Sequence, residues 1–436
     1  NSLFRRFDTA TPEQMRKRAI FLLLLGVILP GSPQLLAGNR ILGKIGIRAT
    51  LAGWASLLLL GLLFLIKRSW ALTILVTPAI GTIVSILIYV YAFGFLVLIL
   101  DTFRLSLLGR LYPVGRNVMI VLFVGVAILG TAGFVRMANT VEVANGTIKS
   151  IFAQKGFTSS TDGRYNILLL GSDAGRDRFG VRPDSISVLS FNADTGAMVN
   201  IGIPRNLQHA PIPVDSPLRE FYGESWDDLI NAAYKNVMDN HQDAYPNAKA
   251  NGSTAGIEAT RDLVEGVTGL KIHSFVMVNM AGFKQLVDAL GGITVNVKER
   301  LPIGGQLDDA SDAIGWIEPG VQHLDGRLAL WYARSRHGTS DYSRMARQHE
   351  VERLILKKLT PSYALANFGP LAEAAKTLVD TDIPDGMAGT YIDLAINAKA
   401  KKMKSLELVP KNGFEPDVPD YKKIHAAIAV ALKASK

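Results

Sequence analysis

Between Trp331 and Gln348 the chain reads Trp331-Tyr-Ala-Arg334-Ser-Arg336-His-Gly-Thr-Ser-Asp341-Tyr-Ser-Arg344-Met-Ala-Arg347-Gln348, which sets four arginines within fourteen residues. Arg344, Arg347 and Gln348 fall at i, i+3, i+4 and so share one helical face. A helix start there adds unpaired N–H donors and a partial positive charge. Guanidinium forks match phosphate oxygens two at a time. The chemistry this arrangement suits is binding of a di- or polyphosphate. For any one arginine a solvated basic helix is an adequate explanation. It is a poor one for the whole set, because three further loops carry the same residue types.

Those loops flank strand-like runs. Tyr165–Leu170 is a continuous apolar run that ends at Gly171-Ser-Asp173. Arg182-Pro-Asp184-Ser185 precedes the run Ile186–Phe191, and Pro204-Arg205-Asn206 follows Ala197–Ile203. Further strands are predicted at Phe275–Asn279, Ile293–Val297 and Leu406–Val409. Helical patterns lie at about 225–239, 254–268, 281–290, 324–334, 343–359 and 420–434. Strands alternating with amphipathic helices predict a layered α/β/α domain around a central mixed sheet. Chemistry in such sheets sits just past strand ends, where these polar clusters fall. Asp173 and Asp184 either neutralise arginines or hold a hard divalent cation. Mg²⁺ favours one or two carboxylates plus substrate phosphates.

The N-terminal part is of a different kind. Of the 436 residues, 48% are hydrophobic, and the long apolar runs crowd residues 19–135. Spans of about 20 residues cross a bilayer, and 49–66, 71–100 and 117–135 qualify. The segment 19–37 is interrupted by Pro30-Gly-Ser-Pro33, which favours a short or re-entrant helix. Arginines and lysines before and after that segment, and Arg104, Arg110 and Arg116 later, mark the cytoplasmic side. Three full spans then place the C-terminal domain outside a plasma membrane. The expected organisation is a transmembrane region at 1–138, a linker at 139–160 and an extracytoplasmic domain at 161–436. A first residue of Asn1 suggests a trimmed chain.

The formal net charge is +9, with many basic residues beside apolar segments, where they set topology. No helix-turn-helix, zinc-finger or RNA-binding motif points to nucleic acid. The chain has no cysteine, which excludes disulfides, thiol catalysis and cysteine-ligated metals.

At these motifs the sequence resembles the LytR-CpsA-Psr family over about 164–350. Asn166-Ile-Leu-Leu-Leu-Gly-Ser-Asp173 is similar to the family's opening strand and metal-site aspartate. Arg182-Pro-Asp184-Ser185 resembles its Arg-x-Asp-[Ser/Thr] motif, and Ile203-Pro-Arg205 its Pro-Arg-Asp motif, with Asn206 replacing the aspartate. Ile230-Asn-Ala-Ala-Tyr234 and the arginine cluster complete the likeness. The resemblance implies a phosphotransferase that takes a glycopolymer phosphate from a polyprenyl-pyrophosphate carrier and passes it to a peptidoglycan sugar hydroxyl. It implies Mg²⁺, or Mn²⁺, held by Asp173 and Asp184. Arg182, Arg205, Arg334, Arg336, Arg344, Arg347 and Gln348 would bind the pyrophosphate. Asp341 would either orient its neighbouring arginines or accept the acceptor's proton. The competing readings are a lipid-pyrophosphate glycan phosphatase and a non-catalytic membrane-bound regulator.

Overall fold

A computed structural model describes residues 10–152, 156–172, 183–304, 311–335, 341–360, 363, 367, 370–371, 373–374, 379–401 and 403–435; at 151, 341, 379 and 399–400 it describes the backbone only. The chain divides into two compact units, Asn1–Gly146 and Thr147–Lys436.

The first unit is helical. Helix α1, Pro12–Ile28, starts on a capping box between Thr11 and Gln14. It stops before Pro30, and the short α2, Ser32–Ala37, follows. The turn between them needs Gly31. Its φ is +99°, and a Cβ there would lie 2.6 Å from the Gly43 carbonyl oxygen. Then come α3 (Arg40–Ile66), α4 (Arg68–Val76), α5 (Pro78–Leu105) and α6 (Pro113–Ile151). The apolar run 71–100 is therefore two helices, parted where Pro78 opens α5. Among the described residues, Arg40–Ile66, Pro78–Arg110 and Pro113–Ser150 are long and apolar enough to cross a membrane. Helix α6 keeps its turn through the polar residues from 139 to Ile151 that composition assigns to a linker. At 39 residues it is roughly 60 Å long. Met15, Ala19, Phe95, Ile99, Met119 and Phe123 pack this unit's core. Inside it, Gln34 Nε2 donates to the Leu98 carbonyl at 2.8 Å and to Thr102 Oγ1 at 3.0 Å.

The second unit is built on a six-stranded sheet. Its early strands are β1 (Arg164–Ser172), β2 (Pro183–Asn192) and β3 (Met198–Ile203). The small ladder of β4 (Ala210–Pro211) and β5 (Ser225–Trp226) brackets α7 (Leu218–Tyr222). Helices α8 (Ala232–Asn240) and α9 (Ala255–Thr268) precede β6 (Ser274–Asn279) and α10 (Met280–Ala289). The predicted helix at 225–239 thus begins only at Ala232, because Ser225 and Trp226 are drawn into the ladder with β4.

Next come β7 (Ile293–Val297), β8 (Leu301–Ile303), β9 (Gly315–Ile317) and β10 (Gly320–Leu324), which form two hairpin-like ribbons, β7 with β10 and β8 with β9. Helices α11 (Gly326–Arg334) and α12 (Asp341–Lys358) follow. The chain ends with β11 (Val379–Thr381), α13 (Asp385–Ala400), β12 (Lys404–Glu407) and α14 (Tyr421–Lys433).

The sheet order is β11-β6-β1-β2-β3-β12. β1 runs antiparallel to β2 and parallel to β6, β3 antiparallel to β2 and parallel to β12. The sheet is mixed, as expected. Because side chains alternate across a strand, each strand feeds both layers. Leu168, Leu170, Ile186, Val188, Val199 and Ile201 pack beneath α8, α9 and α14. Ile167, Phe191 and Met198 face Met387, Tyr391 and Leu394 of α13. Each such buried side chain is worth about 1.5–3 kcal/mol.

Candidate active site

The strand directions gather one end of the sheet. β1 leaves it at Ser172, paired with Pro183 where β2 enters and with Asn279 where β6 leaves. Gly171 pairs with Ser185, so the register slips and Asp184 is the extra residue of a bulge. A bulge re-aims a side chain at a strand end. On the other side, Ile203 pairs with Ile186, and β3 delivers Pro204 and Arg205 to the same end.

Two elements converge on Asp184. Arg205 Nη1 donates to Asp184 Oδ1 at 2.6 Å, with both side chains about a quarter exposed. Arg344, from the first turns of α12 and only 3% exposed, extends Nη2 to 3.4 Å from the Asp184 carbonyl oxygen. Gln348 lies one turn further along α12. Its Oε1 is buried and has no partner among the described residues. The Oδ1 atoms of Asn206 and Asn231 are in the same condition, and so is Ser335 Oγ. Asn231 is tied in directly, its N–H donating to the Arg205 carbonyl at 3.3 Å. Asn206 adjoins Arg205 in the chain, and Gln348 follows Arg344 by one helical turn, so polar side chains accompany both arginines.

Arg347 is placed differently from its neighbours. Its Nε donates to the Tyr332 carbonyl at 2.9 Å, its Nη2 to the Ser335 carbonyl, and its Nη1 lies 3.5 Å from Glu299. Two of its donors thus cap the C-terminal carbonyls of α11, a favourable place for a cation. Burial pushes its pKa down, against the pull of Glu299 and Tyr332. Arg334, the last residue of α11, lies with its guanidinium carbon 5.8 Å from the Trp331 ring centroid. The Tyr332 hydroxyl donates to Glu350 at 2.7 Å, and burial followed by that carboxylate pushes its pKa up.

Of the residues expected at the site, Asp184, Arg205, Arg344 and Gln348 are brought to one sheet end, and Arg347 supports the helix junction beside it. Asp173, Arg182 and Arg336 lie outside the described residues, as does the side chain of Asp341. Residue type and spacing do not single out Glu299, Asn231 or Ser335. Asn231 does lie within the Ile-Asn-Ala-Ala-Tyr segment that carries the resemblance, and that segment is the one signal that pointed to it.

The LytR_cpsA_psr family model matches residues 133–431. A curated relative, the polyisoprenyl-teichoic acid–peptidoglycan teichoic acid transferase TagU of Halalkalibacterium halodurans, is 28% identical over 262 residues, covering 58% of this chain and 71% of its own length. The protein of the same name from Oceanobacillus iheyensis is 31% identical over 220 residues, covering 50% of this chain and 58% of its own. Biofilm regulatory protein A of Streptococcus mutans is 27% identical, covering half of each chain. Among solved structures, B. subtilis TagV aligns with a TM-score of 0.46 at 24% identity, over 63% of this chain and 99% of that one. The family match spans well over half of the sequence and contains every element of the site described above; the chain belongs to the LytR-CpsA-Psr family.

Proposed function

We propose that this chain transfers a glycopolymer phosphate from a polyprenyl-pyrophosphate carrier to a peptidoglycan sugar hydroxyl. The observation that carries this reading is the convergence of Arg205 and Arg344 on Asp184 at one end of the sheet. The names of the curated relatives support it, since both TagU proteins are called teichoic acid transferases acting on peptidoglycan.

In the reaction the acceptor hydroxyl oxygen attacks the glycan-bearing phosphorus. The bond from that phosphorus to the bridging oxygen breaks, polyprenyl phosphate departs, and the hydroxyl proton passes to a base. Negative charge builds on the non-bridging and bridging oxygens, so fixed cations around them lower the barrier. Arg205 and Arg344 bind and orient the two phosphates, and Arg334, Arg182 and Arg336 extend the clamp. Gln348 holds a phosphate oxygen with its amide nitrogen. Arg347 keeps α11 and α12 in place rather than touching phosphate. Asp341 orients arginines or takes the proton.

The donor set at Asp184 fits a divalent ion. The structure gives its Oδ2 no partner among the described residues, while Oδ1 is held by Arg205. No cluster of three or more His, Cys, Asp or Glu that would cage a metal occurs among the described residues. One carboxylate completed by substrate phosphates is the arrangement Mg²⁺ favours, and Mn²⁺ accepts. Asp184 and Asp173 would hold the ion, which when bound polarises the pyrophosphate. The three long apolar helices would tether the domain beside its lipid donor, on the outer face of the plasma membrane.

The test supplies the purified full chain with a lipid-pyrophosphate glycan, Mg²⁺ and peptidoglycan. Wild type should couple glycan to the wall polymer, and Asp184→Ala should not. Equal transfer by the two proteins overturns the reading. Release of free phospho-glycan without coupling identifies a phosphatase instead.

A further inference from the structure

The face of the sheet beneath α12 is polar where apolar packing would be ordinary. His349, Glu352 and Leu356 of α12 meet the sheet, and two of these three are titratable. His349 is buried, and its Nδ1 is hydrogen-bonded to Glu407 Oε1 on edge strand β12. Glu352 Oε2 accepts from Asn200 Nδ2 of β3 at 3.1 Å. Glu407 pairs in register with Gly202, three residues before Arg205. A side chain at Gly202 would force Glu407 and His349 to shift. A Cβ there would lie 2.5 Å from His349 Cε1 and closer still to Glu407 Oε2. Ser187 Oγ, Asn200 Oδ1 and Glu407 Oε2 are buried without partners among the described residues.

We propose that His349, Glu407 and Glu352 form a protonation-dependent clamp that seats α12 on β3 and β12 and thereby positions Arg344 and Gln348 for pyrophosphate. The inference rests on the site reading given above. Arg344 and Gln348 share α12 with His349, and α12 meets the sheet through His349, Glu352 and Leu356. Two carboxylates in a confined space repel unless a cation or a proton lies between them. The charged groups facing His349 are Glu407 from β12 and Glu352 from its own helix, with neutral Asn200 contributed by β3. Burial opposes the imidazolium, but the Glu407 hydrogen bond and the two carboxylates outweigh it and hold the His349 pKa above its ordinary value. Burial likewise pushes the Glu352 carboxyl up.

The sign follows from linkage. A histidine whose pKa is raised by folding contributes fully below its unfolded pKa of about 6.5, and that contribution is lost as pH rises through the folded value. Loss of the proton leaves Glu407 and Glu352 facing a neutral ring, and α12 loosens on the sheet. Donor binding therefore weakens with rising pH, although the phosphate-contacting arginines keep their charge throughout.

The experiment measures binding rather than turnover. The full chain in nanodiscs is titrated with a short prenyl-diphosphoryl-sugar from about pH 5.5 to 8.5, the window in which an imidazole changes charge. Each phosphorus of that probe carries a single, strongly acidic hydroxyl, so the probe's own charge stays constant. Wild-type affinity should fall about tenfold across the window, a typical size for coupling between two linked sites. His349→Leu should bind weakly at every pH with a flat profile. Glu407→Gln should move the wild-type midpoint to lower pH, because the imidazolium loses its partner. Superimposable profiles for wild type and His349→Leu, or an unmoved midpoint in Glu407→Gln, overturn the clamp. If the leucine variant does not fold, the wild-type profile and the glutamine midpoint decide. Arg344→Ala is the control for the site itself. Wild-type affinity in that variant sinks the pyrophosphate reading, whereas lost affinity there with a pH-independent wild type sinks only the clamp.

Discussion

Arg205 donates from Nη1 to Asp184 Oδ1 across the ends of two antiparallel strands, at 2.6 Å. The pair joins the loop after β3 to the bulge at the start of β2, and both side chains keep about a quarter of their surface exposed. A partly exposed pair contributes little to stability. Its value lies in holding a cation at a fixed point. Arg205→Ala should lower glycan transfer by about 10²–10³, the cost of removing one preorganised charged donor, with little change in Tm. Arg205→Lys should restore only part of the rate, since an ammonium cannot fork onto two oxygens. Transfer kinetics with a labelled lipid-linked donor read both variants.

Arg347 should behave in the opposite way to Arg344. Its guanidinium holds the carbonyls of Tyr332 and Ser335 and is buried. Arg347→Met should leave those carbonyls unsatisfied and cost about 1.5–3 kcal/mol. Thermal unfolding of the detergent-solubilised chain should register the loss. Arg344→Met should change Tm less and probe affinity more. A reversed order would show that Arg347 is the phosphate ligand.

Gly202→Ala should destabilise the domain by about 1–3 kcal/mol, because Glu407 and His349 occupy the space a Cβ needs. The cost should shrink in a Glu407→Ala background. A double-mutant cycle on urea unfolding midpoints checks this, and additive costs would contradict the close approach.

Asp262 provides a pH prediction away from the site. It accepts from Ser216 Oγ and from the Tyr245 hydroxyl at 2.7 Å, and burial still pushes its pKa up. A carboxylate raised by folding stabilises most below its unfolded pKa, and that contribution is lost as pH rises through the folded value. Asp262→Asn should therefore flatten the decline in Tm as pH rises above the ordinary carboxylate value of about 4. An unchanged slope would assign that decline to other groups.

Much of the sheet was legible because its strands are continuous apolar runs bounded by Gly, Pro and Asp. β1, β2, β3 and β6 appear within a few residues of the predicted runs. Partnership was not legible. Ile293–Val297 alternates cleanly, yet pairs with β10 in a separate ribbon, since alternation says that one face is buried and not against what. Helix α13 is faint in the sequence because Met387, Ala388, Tyr391 and Ala398 fill much of its buried stripe, a weaker signal than leucine or valine. At the site, residue type gave the arginines a chemistry. Only the backbone separates Arg344, near Asp184, from Arg347, which is turned onto the carbonyls of Tyr332 and Ser335. His349 and Glu407 are 58 positions apart, and no local pattern joins them.

The pairing of β12 with β3 has a consequence for biosynthesis. The strand that leads to Arg205 is flanked on its outer side by residues more than two hundred positions later in the chain. Closing so long a loop is slow, and contacts of this range form late in folding. A nascent chain that has already made every arginine of the cluster still lacks the edge against which α12 is seated. The seat of α12 is thus completed only once β12 has been made and paired with β3.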